Sequence, residues 1–249
     1  MDKKIKVGIV NYLNTLPFLY GIENSDVISG IELIKDYPAK IADDLLQGKI
    51  DLGLVPVAVI PQMKEYQIIT DYCIGCDGEV ATVCLFSEEP IEKLKKVFLD
   101  YQSRTSVQLL KILLKEYWKL DIELEDTQGD NFRSLIKGST GGLVIGDRAF
   151  EQKRISAFQY DLGLAWKEMT GLPFVFAVWV ANKKLPASFI QDFNEANKKG
   201  IEQIEEIISQ NHFSQIDLEY YYKKNISYQF DDEKKKGMEK FLELNSCRL

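Results

Sequence analysis

The sequence predicts an α/β protein of two lobes, and three observations carry that prediction. Short β-branched runs alternate with amphipathic helical stretches. Two long apolar runs, at 80–87 and 174–181, fall where the chain would cross from one lobe to the other. The 249 residues, 45% of them hydrophobic, suit one large domain or two small α/β lobes.

The elements follow in order. Strands are expected at 5–10, 31–36, 52–55 and 68–74, with helices at 16–22 and 39–47 between them. In the second helix Ile41, Leu45 and Leu46 make one apolar face. This βαβαβ rhythm predicts a parallel sheet covered by helices. A second set comprises a long strand at 80–87, a strand at 97–100, a helix at 105–118, a strand at 122–125, a short helix near 132–136 and a strand at 143–145. Residues 161–173 read as a loop before the strong strand FVFAVWVA, and from Pro186 the pattern is helical and charged to the end. Residues 1–83 plus 180–249 are therefore expected to form one lobe and 84–179 the other. Ligands of open α/β sheets bind at the carboxyl ends of strands, so two such lobes would face each other across a cleft.

Charge and composition narrow the function. A formal net charge of -7 argues against nucleic acid or an anionic membrane as a partner. A small anionic ligand remains compatible, provided local donors offset the field. MDKKIKVGIV lacks a signal-peptide core and cleavage site, and no run approaches the roughly 20 apolar residues of a membrane span. The expected location is the cytoplasm. Cys73 and Cys76 form C-I-G-C, which can be a redox or metal pair. No second C-x-x-C exists, and the pair ends a strand rather than opening a helix, so reduced, half-buried thiols are expected. The single histidine, His212, lies in the polar stretch QNHFSQ and reads as a surface residue. Glycine-rich phosphate loops, H-E-x-x-H and G-x-S-x-G are absent, and one remote histidine makes a Ser-His-Asp or Cys-His centre improbable. No metal or cofactor is expected.

Polar residues gather instead where strands give way to loops. In VGIVNYLNTLPFLYGI, Asn11 and Asn14 interrupt an apolar passage from strand to helix. CDGEVAT, with Asp77, Glu79 and Thr82, precedes the long strand, and GDRA, with Gly146 and Asp147, closes another. Each segment alone reads sooner as loop and cap chemistry than as a site. SRTS (103–106) has the best independent physics. Ser103, Thr105 or Ser106 can cap the following helix, whose unpaired first-turn N–H groups favour an anion, and Arg104 can add a fork suited to a carboxylate. Simple capping with Arg104 in water is the competing reading.

Together NYLNTLP (11–17), GCDGEVATVCLFS (75–87), SRTSVQLL (103–110), LVIGDRAF (143–150) and DLGLAWKEMTGLPFVFAVW (161–179) resemble the chorismate dehydratases of the futalosine route to menaquinone. The resemblance implies a two-lobed fold similar to type II periplasmic binding proteins, used here by an enzyme. That enzyme would remove water from chorismate, giving 3-[(1-carboxyvinyl)oxy]benzoate, a reaction driven by aromatisation. It also implies that Asn14 contacts the reacting part of the substrate, with Thr82 beside it where several relatives carry serine. Asn11, Ser103, Arg104, Thr105, Ser106, Gly146 and Asp147 would complete the substrate site. Asp147 reads alternatively as a cap for the next helix, and Asn11 as a turn residue. Since these segments are poor in titratable groups, the substrate's own enolpyruvyl carboxylate is the expected proton acceptor. Trp166, Phe174, Phe176 and Trp179 can wall such a site from water, although aromatics in such a run are more often core. Two rivals remain. One is the sister dihydroxynaphthoate synthase, whose chemistry is associated with a histidine; the other is a non-catalytic cytosolic module binding small anions.

Overall fold

A computed structural model describes residues 4–211, 213 and 216–246. β1 (Ile5–Val10) passes through a 3₁₀ turn, Leu13–Thr15, into α1 (Leu16–Glu23), where Pro17 sits in the first turn. Proline suits that place, because its missing N–H would be unpaired there anyway. α2 (Val27–Gly30), β2 (Ile31–Asp36), α3 (Pro38–Leu46), β3 (Leu52–Pro56) and β4 (Gln67–Cys76) follow. Every residue of β3 is buried, as expected of a strand covered on both faces. The middle of the chain supplies β5 (Val83–Ser87), β6 (Lys96–Leu99), α4 (Thr105–Glu116), β7 (Glu123–Asp126), β8 (Thr140–Ile145), α5 (Arg148–Lys153), β9 (Phe158–Asp161) and α6 (Leu162–Thr170). β10 (Phe174–Ala181), α7 (Ala187–Glu202), α8 (Ile204–Gln210), α9 (Leu218–Tyr220), a π-helical turn at Tyr221–Asn225, β11 (Ser227–Gln229) and α10 (Asp232–Ser246) end the described chain.

Among the described residues the strands form two sheets, one ordered β11-β4-β10-β3-β1-β2 and the other β7-β6-β8-β5-β9. The expected parallel sheet holds for β2, β1 and β3. It does not extend to β4, because β10 inserts antiparallel between β3 and β4 and makes the sheet mixed. β10 thus belongs whole to the first sheet.

Three further elements differ from the sequence reading. The supposed loop at 161–173 contains α6, which Asp161 caps by accepting from the Leu164 amide and Gly171 ends in a left-handed conformation, φ 75°. The long strand at 80–87 starts only at Val83, since Ala81 holds a φ of 65° that no strand tolerates. The charged C-terminal region is not wholly helical, for β11 pairs antiparallel with β4 at the sheet edge.

Core packing explains two glycines. α1 crosses α7 so closely that a Cβ on Gly21 would lie 1.9 Å from the Ala196 carbonyl oxygen, and one on Gly200 1.8 Å from that of Pro17. Trp179 fills the space below, edge-on to Phe193 with ring centroids 4.8 Å apart, and its indole N–H donates to Asn197 Oδ1 at 2.9 Å.

Candidate active site

The carboxyl ends of β1, β3 and β8 converge on a small cavity between the two sheets and their helices. Val10, Leu54, Pro56, Ile74, Phe176 and Ala177 furnish its apolar wall from the first sheet. Its polar lining is Tyr12, Asn14, Thr15, Thr82, Ser103, Thr105, Ser106 and the backbone of Gly146. Six of the nine residues singled out in the sequence therefore meet there, although they span more than half of the chain.

Local structure explains each placement. After β1 the chain turns through Leu13–Thr15, where the Thr15 hydroxyl donates to the carbonyl of Val10 at 2.6 Å. That turn aims Asn14 inward. Its Oδ1 is buried and has no donor among the described residues. A buried amide oxygen left unpaired is costly, which sets this atom apart from the other polar groups of the lining. Thr82 follows the left-handed Ala81, a backbone state that costs on the order of 1–3 kcal/mol unless the surroundings impose it. Asp161 imposes it. Its carboxylate accepts from the amides of Val80, at 3.1 and 3.2 Å, and Ala81, at 2.7 Å. Gly146, with a φ of 67°, faces the Tyr12 ring, which a Cβ would strike at 2.9 Å. Only glycine lets the tyrosine lie flat against that backbone.

The remaining three residues stand elsewhere. Arg104 is turned away from the cavity and ion-pairs with Asp43, so its fork is not offered to a ligand there. Its neighbours keep their polar lining roles. Ser103 Oγ accepts from the Ser106 amide at 3.0 Å, and Thr105 Oγ1 accepts from the Ala58 amide at 3.2 Å, across the two sheets. Asn11 is exposed and off the cavity. Asp147 neither lines the cavity nor caps α5. Its carboxylate accepts instead from the Leu13 amide, at 3.1 and 3.3 Å, clamping the Asn14 turn from the opposite side.

Burial pushes the Asp147 carboxyl up to about 6. The consequence for stability has a definite sign. An unfolded aspartate titrates near ~3.9, so between roughly pH 4 and 6 the folded chain carries a proton that the unfolded chain lacks. This group's contribution to stability therefore grows as pH falls through 6 and is complete below about 4. Asp147→Asn is expected to remove that component from a stability–pH curve, and carboxyl carbon NMR of the native protein should show a midpoint near 6. A midpoint near 4 would mean that the clamp is solvated.

Sequence reasoning missed four contributors. Tyr12 donates to Gln102 Oε1, closing one rim of the cavity, and burial raises its phenol well above the usual range. Arg148, not its neighbour Asp147, makes the strong interaction of GDRA: one terminal nitrogen reaches both oxygens of the fully buried Asp100, at 2.8 and 2.9 Å. Tyr222 and Tyr228 donate to the carbonyls of Leu13 and Asn14, both at 2.9 Å. The GDRA arginine was legible as a charge beside a strand end, but nothing near 221–228 marks those tyrosines as neighbours of residue 14.

The aromatic run is mainly core. Trp166, Phe174 and Trp179 are fully buried away from the cavity, and Phe176 alone reaches its wall. Cys73, Cys76 and Cys84 are free and buried, with thiols pushed up by desolvation, that of Cys73 to about 12. They are not poised to react. His212 lies outside the described residues. No cluster of three or more histidine, cysteine or acidic side chains that could hold a metal occurs among the described residues, and no helix there is long and apolar enough to cross a membrane.

The cavity measures about 60 Å3, against roughly 300–1,000 Å3 for ordinary ligand sites. A ring-sized ligand does not fit that volume. Polar contacts bridge the two halves beside it: Tyr12 with Gln102, Arg104 with Asp43, and the Ala39 amide with the Gln102 carbonyl at 3.1 Å.

The model of the menaquinone biosynthesis family matches residues 5–246 of the chain. The chain belongs to that family. Among curated relatives of this family member, the chorismate dehydratase of Thermus thermophilus is 28% identical over 227 residues, covering 81% of this chain and 79% of its own. The chorismate dehydratase of Campylobacter jejuni is 26% identical, covering 94% and 95%. A Candida albicans gene product described as exhibiting the generic periplasmic binding protein fold superposes with a TM-score of 0.68 at 14% identity, covering 98% of this chain and 90% of that one. The family member therefore has the two-lobed binding-protein fold expected from its motifs.

Proposed function

We propose that this chain is a chorismate dehydratase, a cytoplasmic hydro-lyase of menaquinone biosynthesis that forms 3-[(1-carboxyvinyl)oxy]benzoate and water. One observation carries the reading beyond the family: the unpaired, buried Asn14 Oδ1 at a cavity otherwise lined by hydroxyls and apolar groups. Ionised chorismate has two carboxylates, an ether and a single donor, the C4 hydroxyl that departs. An unpaired acceptor fits that donor and no other atom of the substrate.

In the reaction the C3–H bond breaks and its electrons enter the ring, the C4–O bond breaks, and the ring becomes aromatic. The C3 proton passes to the enolpyruvyl carboxylate held beside it, which hands it on to the departing C4 hydroxyl, so that the oxygen leaves as water and the carboxylate is restored. Asn14 is no base, so its part is orientation: it holds the hydroxyl with its C–O bond upright on the ring plane, as elimination requires. Thr82, Ser103, Thr105 and Ser106 supply hydroxyls and the N-terminal end of α4 for the ring carboxylate. Positioning and fixed dipoles are large terms in a dry site. We assign residues up to about 80, with 174–249, to the first lobe and the intervening chain to the second.

The test is direct. Purified protein incubated with chorismate should develop the ultraviolet absorption of a substituted benzoate while chorismate disappears. Binding without spectral change would favour the non-catalytic anion-binding alternative. The dihydroxynaphthoate synthase alternative is disfavoured because no histidine lies before residue 212. Asp147→Asn separates a protein base from this scheme. Its amide oxygen still accepts from Leu13, so turnover should stay within about tenfold of the parent, whereas loss of a general base costs roughly 10²–10⁴-fold.

A further inference from the structure

Behind Thr82 stands a hydrogen bond that the scheme above leaves unused. Thr82 Oγ1 and Tyr221 Oη are 3.1 Å apart, and both residues are almost wholly buried. The phenol has no other hydrogen-bond partner among the described residues. Thr82 Oγ1 has a second neighbour, the Val80 carbonyl, at a long 3.4 Å. One proton occupies the line between two touching hydroxyls, and its owner decides where the other proton points.

The accounting favours the phenol as donor. A buried O–H with a single possible acceptor loses its only bond if it turns elsewhere. If Thr82 donated to Tyr221, the phenol proton would be stranded; if Tyr221 donates, the phenol keeps its bond, and the Thr82 proton is left only the long contact to the Val80 carbonyl, from which a substrate acceptor in the cavity can draw it. Burial also drives the phenol pKa well above its ordinary value, so it keeps its proton. We infer that Tyr221 is a positioning residue: its phenol donates to Thr82 Oγ1 and thereby turns the Thr82 hydroxyl proton into the cavity, as a donor to the substrate. Donors in series strengthen one another, so the threonine becomes a better donor than it would be alone.

The surrounding chain holds the phenol in place. Tyr221 opens the π-helical turn, whose i to i+5 bond runs from the Ile226 amide to the Tyr221 carbonyl at 3.0 Å. This wide turn buries Tyr221, Tyr222 and Asn225. The Tyr221 ring sits edge-on to Phe150, centroids 5.3 Å apart. Asn225 Nδ2 donates to the Glu79 carbonyl at 3.1 Å, steadying the strand approach to Thr82. π-turns of this kind recur at functional sites.

Only the kinetic arm of the test rests on the dehydratase reading. Tyr221→Phe keeps the ring and its packing but removes the phenol. It should lower kcat on chorismate about 5- to 10-fold, leave KM within about twofold, and leave Tm nearly unchanged. Thr82→Val should lose more, and adding Tyr221→Phe to it should cost nothing further. Multiplying losses in the double variant, or an unaltered kcat in Tyr221→Phe, would overturn the assignment. Neutron diffraction from deuterated wild-type crystals supplies the arm free of any substrate. A deuteron on Tyr221 Oη directed at Thr82 Oγ1 supports the inference, and one on Thr82 directed at the phenol overturns it. If wild-type protein leaves chorismate intact, the dehydratase reading fails and the deuteron alone decides this one.

Discussion

Asn14→Asp is expected to lower kcat/KM for chorismate by roughly 10²–10³-fold, the scale of losing one oriented group in a dry site. The substitution is isosteric, so the turn at Leu13–Thr15 and its clamp on Asp147 should survive. What changes is charge. A carboxylate placed where Oδ1 is already buried meets a ligand that carries two negative charges of its own, and no cationic side chain among the described residues lines the cavity to offset either. Acid should restore part of the loss, because a protonated carboxyl is neutral again. In the variant kcat/KM should therefore rise as pH falls from 8 to 6, whereas the parent, with a neutral amide at position 14, should show no such rise. An ultraviolet progress curve at several pH values measures both. Parent-like turnover at neutral pH would take Asn14 out of the site.

Gly200→Ala should have the largest effect on stability, about 3 kcal/mol or more in urea unfolding, at the upper end of overpacking costs. The added methyl would sit 1.8 Å from the Pro17 carbonyl oxygen, which is backbone and cannot turn aside. α1 and α7 would have to separate. Gly21→Ala forces the same separation from the other helix, so the two losses should be less than additive. Gly30→Ala, with nothing within 4 Å of the new Cβ, is the control and should fall within about 0.5 kcal/mol of the parent. A Gly200→Ala protein as stable as that control would mean the helices sit farther apart than described.

The contrast between these two sites shows what a single sequence discloses. The βαβ rhythm of residues 5–56 was legible because apolar periodicity records burial directly, and burial is what β1, β3 and α3 obey. Polar residues at strand ends were legible for the opposite reason: Asn14, Thr82 and Ser103–Ser106 break an apolar pattern where packing alone gives no cause. Arg104 misled, since an arginine at a helix start suits a ligand and a neighbouring acid equally well, and Asp43 lies 61 positions away along the chain. α6 was hidden by a short amphipathic pattern, though Asp161 and Gly171 bracket it with standard cap chemistry. The tyrosines at 221, 222 and 228 were beyond reach. Their partners lie 139 to 214 residues distant, and no local property of YYKKNISY encodes such pairings.

The insertion of β10 between β3 and β4 has a consequence for synthesis. As the polypeptide leaves the ribosome, β3 and β4 appear long before the strand that joins them, with a whole sheet's worth of residues in between. Until residue 181 emerges, each presents an unpaired, apolar edge open to other nascent chains. The β5–β9 sheet, by contrast, is drawn from one uninterrupted stretch and can close on its own. Assembly in the cell should therefore begin in the middle, and a translation pause between 76 and 174 is where chaperone demand should peak.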